Sequence, residues 1–194
     1  MESIELKYFY HGSYISGISQ LKANSKLHNS EENVVYLTDS IPYALLYIWD
    51  AKHNDCNGKH VTAWVKNGVT YYEEQFPDQL KTFYQDVMGS LYFIADDPEI
   101  KPLESRDNFF YCSTDVSVYK TEQVFDVYEE LLKYEAKGSL IILKYNDQSP
   151  ERQQELTNMI ASAIIRANFY KDNEERRNFM KKHFSKSWKI AKGT

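Results

Sequence analysis

The chain has 194 residues and a formal net charge of −5, and 42% of its residues are hydrophobic. That length predicts one domain with enough apolar material for a core. Two cysteines are too few for a disulfide scaffold, and no apolar run reaches membrane-spanning length. Residues 1–5 lack the basic and apolar regions of a signal peptide, so we expect a cytoplasmic protein with no membrane partner.

The charge is unevenly distributed along the chain. Residues 166–194 carry nine Lys or Arg against three Asp or Glu, while residues 1–165 carry 14 against 25. A basic end of this kind can bind nucleic acid or an acidic partner. It can equally be a solvated helix whose cations suit its C-terminal dipole. We favour the second interpretation.

The first third of the chain predicts two strands and one helix. Residues 6–9 form a strand pattern that leads into a turn at 11–13, residues 19–33 are polar without a period, and residues 34–37 form a second strand pattern. Asp39 or Ser40 is placed to cap a helix whose first turn contains Pro42. One face of this helix is predicted to carry Tyr43, Tyr47 and Ala51.

The remaining elements indicate an α+β fold. Asn57-Gly58 and Asn67-Gly68 are dipeptides that favour type I′ hairpin turns. The other predicted elements are a helix over 77–87, strands at 91–95, 109–112, 116–119 and 140–145, a helix over 126–137, and helices that begin at Ser149 and Asn173. Strands dominate the first two thirds and helices the last third. We therefore predict an α+β domain over 1–146 and a helical extension over 147–194 that packs on it.

Two short strings carry a resemblance to a known family. Tyr10-His11-Gly12-Ser13, and residues 34–39 continuing into 43–47, resemble the two NAD-binding segments of the ADP-ribosyltransferase superfamily. The similar branch is the one that contains diphtheria toxin and the poly-ADP-ribose polymerases. It uses a His on the first strand, a Tyr on the second and another Tyr on the following helix, which correspond here to His11, Tyr36 and Tyr47. The resemblance covers residues 6–50, and 109–125 more loosely, and it implies split antiparallel sheets with a cleft between them.

The resemblance implies a role for each matched residue. His11 would hydrogen-bond the adenosine-side ribose, and the Gly12 backbone would bind the nicotinamide carboxamide beside Ser13. Tyr36 and Tyr47 would sandwich the nicotinamide ring. The set is completed by Ala44, which stands where the branch has a Ser that bonds the carboxamide.

A carboxylate is the third element that this chemistry needs. Cleavage of the nicotinamide–ribose bond passes through an oxocarbenium-like transition state, which an anion stabilises. The branch has a Glu that precedes a short strand, and the corresponding residue here is Asp115, with Glu122 as the second candidate. Asp is one carbon shorter, so its carboxylate is set back by about 1–1.5 Å, a displacement that can cost about 100-fold in rate.

These residues predict NAD-dependent mono-ADP-ribosyl transfer to a macromolecular acceptor, which we expect to be a protein. NAD would be the substrate, and no metal is expected. The departures at Asp115 and Ala44 leave a second possibility open, a module that binds NAD, ADP-ribose or a partner without turnover. The Arg-Ser-Glu branch and the RNA 2′-phosphotransferases are set aside because they need an early Arg, and the first Arg here is Arg106.

Two other constellations are weaker. His53, Cys56 and His60 have a spacing that can bind zinc, with Asp50 or Asp55 as a fourth ligand, but a polar hairpin tip explains them better. Cys112 and His183 form a nucleophile–base pair only if the fold brings them together.

Overall fold

A computed structural model describes residues 7–28, 30–171 and 173–193. The strands are β1 (Tyr8–Ser13), β2 (Gln20–Leu21), β3 (Ser25–Lys26), β4 (Asn33–Thr38), β5 (Thr62–Lys66), β6 (Val69–Glu73), β7 (Gly89–Ala95), β8 (Lys101–Pro102), β9 (Phe109–Cys112), β10 (Val116–Ser117), β11 (Lys120–Val124) and β12 (Leu140–Leu143). The helices are α1 (Ile41–Leu45), α2 (Gln79–Tyr84), α3 (Val127–Ala136), α4 (Pro150–Arg166), α5 (Glu174–His183) and α6 (Ser185–Lys192). This mixture confirms the α+β class.

The largest sheet is antiparallel and opens in its middle. Its strand order is β11-β7-β1-β4-β9-β8, with β3 on the other part of β4. β1 pairs with β7 along its whole length, whereas its register with β4 consists of Tyr10 opposite Thr38. Beyond that pair no further residues of β1 and β4 are paired with each other, and the two strands diverge. The gap between β1 and β4 is the feature that positions the site.

Two smaller sheets complete the β-structure. β2 pairs with β10, which attaches the segment after β1 to the segment after β9. β5, β6 and β12 form a three-stranded sheet in which β12 runs parallel to β6. The β5–β6 turn has the predicted type I′ character, since Asn67 and Gly68 both have positive φ angles of 52° and 75°.

The main hydrophobic core joins the first half of the chain to the last helices. Trp49 and Phe83 from the first half pack in it against Phe179 of α5 and Trp188 of α6. The Trp49 and Phe83 ring centroids lie 6.4 and 5.7 Å from that of Phe179. A second cluster lies on the opposite face of β1 and β4 and contains Phe9, Leu21, Val35, Leu37, Ile94, Cys112 and Val116.

The starts of α1, α3, α4 and α5 follow the sequence predictions, whereas α2 is shorter than the predicted 77–87 and α6 was not predicted as a separate helix. The Ser40 hydroxyl accepts a hydrogen bond from the Tyr43 N–H at 3.3 Å and begins α1, with Pro42 in the first turn. Asp126, Ser149 and Asn173 cap α3, α4 and α5 in the same way. In each case a short polar side chain satisfies a backbone donor that the helix leaves free.

Three local predictions are wrong. Residues 11–13 belong to β1 rather than to a turn, because pairing with β7 keeps the chain extended through Ser13. α1 ends at Leu45, so Tyr47 lies in the turn after the helix. Asn57-Gly58 is not a hairpin, because residues 46–61, all of them described, form no strand. Residue 6, the predicted start of the first strand, lies outside the described residues.

Candidate functional site

A cavity of about 430 Å³ lies where β1 and β4 diverge. The end of α1 and the segment after β1 form its other walls. Six residues that the sequence predicted as binding residues line it: His11, Gly12, Ser13, Tyr36, Ala44 and Tyr47. Its volume is within the range of small-molecule sites, about 300–1,000 Å³.

The His11 ring bridges the gap between the two strands. Its Nδ1 lies 3.1 Å from the Tyr36 carbonyl oxygen. Burial lowers the pKa of His11, although the bond to Tyr36 opposes that shift. The neutral ring therefore donates from Nδ1 to the carbonyl, and its Nε2 is left as an acceptor. A ligand hydroxyl can donate a hydrogen bond to this nitrogen.

Gly12 allows α1 to lie directly against β1. A β-carbon at this position would lie 2.0 Å from the Ala44 carbonyl oxygen. No side chain can be accommodated at that distance, so glycine is required for this approach. The contact fixes the Ala44 backbone, which also accepts the Tyr47 N–H at 3.0 Å.

The two tyrosines of the site differ in their freedom. The Tyr36 hydroxyl donates to the Lys26 carbonyl at 3.0 Å and accepts from the His28 N–H at 3.1 Å, so its ring is fixed against the segment after β3. Tyr47 is 41% exposed, and its ring centroid lies 5.7 Å from that of Tyr43. Both rings border the same cavity and offer it flat aromatic surfaces.

The wall after β1 is held by a tyrosine that the sequence analysis did not single out. The Tyr92 hydroxyl donates to the Ile15 carbonyl at 2.6 Å and accepts from the Ile18 N–H at 3.3 Å. Ile15, Ile18 and Leu21 give this wall an apolar lining. No local pattern reveals this role, because β7 and the loop are more than 70 residues apart in sequence.

The predicted acid, Asp115, is engaged at the edge of the cavity. Lys22 Nζ donates to its Oδ2 at 2.8 Å, and the Ala23 N–H donates to its Oδ1 at 2.9 Å. The Lys22 bond lowers the pKa of Asp115, so the carboxyl is ionised. Among the described residues, Lys22 belongs to the cavity lining and Asp115 does not.

The second candidate acid, Glu122, lies on β11. Its carboxylate accepts from Lys120 Nζ at 2.6 Å, and β11 is separated from β1 by β7. Of the described residues that line the cavity, none belongs to β11. The fold thus brings the six binding candidates together and leaves both carboxylates outside the lining.

The weaker constellations do not assemble. Cys56 Sγ lies 3.9 Å from His60 Nε2, but His53 Nε2 lies 3.4 Å from the Thr82 carbonyl. Within 7–28, 30–171 and 173–193, no three His, Cys, Asp or Glu side chains are grouped to bind a metal. Cys112 lies in the second hydrophobic cluster, whereas His183 packs on Phe179 of the main core.

Comparison with models of known families, with curated proteins and with solved structures gives no significant match to this chain. Within the described ranges, no helix is both long and apolar enough to cross a membrane. The cavity and its residues therefore carry the functional argument.

Proposed function

We propose that this protein transfers ADP-ribose from NAD to a macromolecular acceptor as a mono-ADP-ribosyltransferase. One observation carries the proposal. Residues that were matched to the NAD-binding segments from sequence alone, and that lie up to 36 positions apart, line a single cavity. Chance matches to two short strings would not be expected to meet at one site.

The geometry supports a role for each wall. The free Nε2 of His11 can accept a hydrogen bond from a ribose hydroxyl. The β1 edge beyond Tyr10 lacks a β4 partner, so backbone groups there are available to a carboxamide. Tyr36 and Tyr47 provide the flat surfaces between which a nicotinamide ring would be held. Together these contacts would fix the reacting bond before cleavage.

The acid of this proposal is Asp115, which must leave Lys22 to act. Their side chains are 38% and 60% exposed, respectively. Water solvates both charges at such a pair, so separating them costs little. A rotation that releases the carboxylate would turn its negative charge from the edge into the cavity, where it can stabilise the oxocarbenium-like transition state.

A second candidate function is supported by the same residue. Asp115 already has a partner on each oxygen. If those bonds persist with ligand bound, the cavity lacks an acid and the protein is a module that binds NAD or ADP-ribose without turnover.

One experiment separates these functions. The purified protein is incubated with NAD labelled on the adenylate phosphate, together with lysate proteins as acceptors. A transferase moves label onto protein and releases nicotinamide in equal amount. A binding module takes up NAD or ADP-ribose in calorimetry and does neither.

Two variants test whether the cavity is responsible. Tyr47→Ala removes one aromatic wall and should reduce NAD affinity about 10-fold or more. The control is Tyr14→Ala, because Tyr14 is 54% exposed and lies outside the cavity lining. Equal losses in both variants, or no NAD binding by the unmodified protein at millimolar concentration, would refute the proposal.

A further inference from the structure

Lys59 places a positive charge against the aromatic wall of the cavity. Its Nζ lies 3.6 Å from the Tyr47 ring centroid and 5.5 Å from that of Tyr43. Lys59 is half-buried, and in the described part of the chain no carboxylate lies within ion-pair distance of it. Contact with aromatic faces compensates only part of the cost of removing an ammonium from water.

A second cation lies on the same cluster of aromatic rings, in which the Tyr43 and Phe109 ring centroids are 4.6 Å apart. Arg106, in the loop before β9, has its guanidinium carbon 5.5 Å from the ring centroid of Phe109, which lines the cavity. Burial, followed by repulsion from Arg106, lowers the pKa of Lys59 to about 7. Arg106 also forms no ion pair with a carboxylate from the described ranges.

This arrangement is unfavourable for the empty protein. The chain has 28 acidic residues against 23 basic ones, yet none of the carboxylates in the described ranges pairs with Lys59 or Arg106. Two neighbouring cations without an anion repel each other and lose solvation. A bound anion would remove both costs, and the hydroxyls of Tyr43 and Tyr47 are close enough to Arg106 for their pKa values to respond to its charge.

We infer that Lys59 and Arg106 form an anion subsite at the Tyr47 edge of the cavity, which binds the diphosphate of a dinucleotide. The diphosphate identity rests on the proposed function, whereas the cation pair does not. Tyr47 belongs both to the cavity lining and to this cluster, so an anion here is within reach of a ring stacked on Tyr47. A diphosphate carries two negative charges, and the planar guanidinium of Arg106 can bond two of its oxygens at once.

The subsite should respond to pH through Lys59. The groups around Lys59 are Tyr43 and Tyr47, whose pKa values burial raises, and the guanidinium of Arg106, whose charge lowers the Lys59 pKa. Lys59 is therefore the group that changes charge near pH 7, being an ammonium below that value and neutral above it. Affinity for ADP-ribose should fall as the pH rises through about 7, and a Lys59→Met variant should lose that dependence.

The test is calorimetry at low ionic strength and about pH 6 with ADP-ribose, ADP and nicotinamide riboside. Lys59→Met and Arg106→Gln should each weaken ADP-ribose and ADP about 10-fold or more, because each removes a charge-assisted hydrogen bond. Nicotinamide riboside is a cation without phosphate, so its affinity should not fall in either variant. Lys66→Met removes an exposed lysine on β5 and serves as the matched control. Lys59→Arg keeps the charge and should retain most of the affinity, and thermal unfolding shows that each variant is folded.

The outcomes separate this inference from the proposed function. If NAD is consumed and both charge-removing variants bind ADP-ribose like the unmodified protein, the transferase proposal stands and the subsite is refuted. If ADP binds, the variants lose it and NAD is never consumed, the subsite stands and the transferase proposal fails. Absence of ADP and ADP-ribose binding at millimolar concentration refutes the subsite.

Discussion

The binding wall and the acid edge of the cavity are built in different ways. The binding wall, formed by β1, β4 and α1, is fixed by close contacts, such as the one between Gly12 and Ala44. The acid edge carries Asp115, whose position depends on exposed bonds from Lys22 and the Ala23 N–H. Packed backbone is costly to displace, whereas an exposed ion pair exchanges readily with water. In the proposed function the wall would be pre-formed, and the edge would be the part whose position the ligand changes.

The largest effect is expected from breaking the wall. Gly12→Ala places a methyl group 2.0 Å from the Ala44 carbonyl oxygen, so α1 must move away from β1. We expect the free energy of unfolding to fall by about 3 kcal/mol, and NAD binding to be lost. Urea unfolding and calorimetry measure both quantities. Gly17→Ala is the control, because open space surrounds Gly17 and only its positive φ opposes the change. Similar losses in the two variants would show that the contact with α1 is not the cause.

The acid edge should affect rate rather than binding. Asp115→Asn removes the charge that the transition state needs, so transfer should fall about 100-fold or more while NAD affinity changes less than about twofold. Single-turnover rates and calorimetry separate these quantities. Asp96→Asn, at an exposed Asp outside the cavity lining, should leave both unchanged. Transfer that survives Asp115→Asn would exclude this residue as the acid.

His11 links the two strands of the wall, and its loss should affect binding. His11→Ala removes the bond to the Tyr36 carbonyl and the Nε2 acceptor, which should weaken NAD about 10-fold. Because burial lowers the His11 pKa, the ring stays neutral as pH falls through its ordinary value of 6.5. The contribution of His11 to NAD affinity should therefore hold at that pH and decline only further into acid. A decline that begins above pH 6.5 and persists in His11→Ala would assign the titration to another group.

A smaller and opposite effect is expected from freeing the acid. Lys22→Met removes one of the two bonds to Asp115, which should allow its pKa to return towards its ordinary value and its carboxylate to reach the cavity. We expect transfer to rise about two- to fivefold without a gain in NAD affinity. Lys26→Met is a comparison, because Lys26 pairs with Glu31 instead. Reduced transfer in Lys22→Met would mean that the lysine holds Asp115 in its working position.

The smallest effect is expected at Glu122. Its carboxylate pairs with Lys120 on β11, away from the cavity lining. Glu122→Gln should change NAD affinity and transfer by less than about twofold, since long-range charge effects are screened at physiological salt. If this variant is inactive while Asp115→Asn is active, the acid lies on the opposite side of β7 from the one proposed.

Local chemistry accounts for what the sequence could predict of the fold. Ser40 and Ser149 cap their helices, and Asn67-Gly68 adopts the tight turn with positive φ angles that this dipeptide favours. These features could be predicted because they involve only neighbours in the chain. The turn assigned to 11–13 was wrong, since pairing with the distant β7 overrides the preference of Gly12. The parallel pairing of β12 with β6 was equally beyond local patterns, which carry no information on strand partners.

The same difference between local and long-range interactions decides which site residues the sequence could predict. The binding candidates could be named because they lie in two short strings, and the fold places those strings around one cavity. Lys59 and Arg106 lie 47 positions apart in sequence, and nothing in their local sequence indicates that both contact the aromatic cluster of Tyr43, Tyr47 and Phe109. Whether Asp115 serves as the acid stays a prediction, since its reach depends on side-chain rotation.

The first half of the chain and the last helices share one hydrophobic core, and this affects the order in which the protein can fold during synthesis. Described residues that line the cavity lie between Tyr10 and Phe109, whereas α5 and α6 follow residue 173. Until those helices leave the ribosome, Trp49 and Phe83 lack the apolar surface of Phe179. A nascent chain of 150 residues would thus have all the described cavity residues but an uncovered core, the state in which chains aggregate or recruit chaperones. We therefore expect the cavity to become stable only when the last helices are complete.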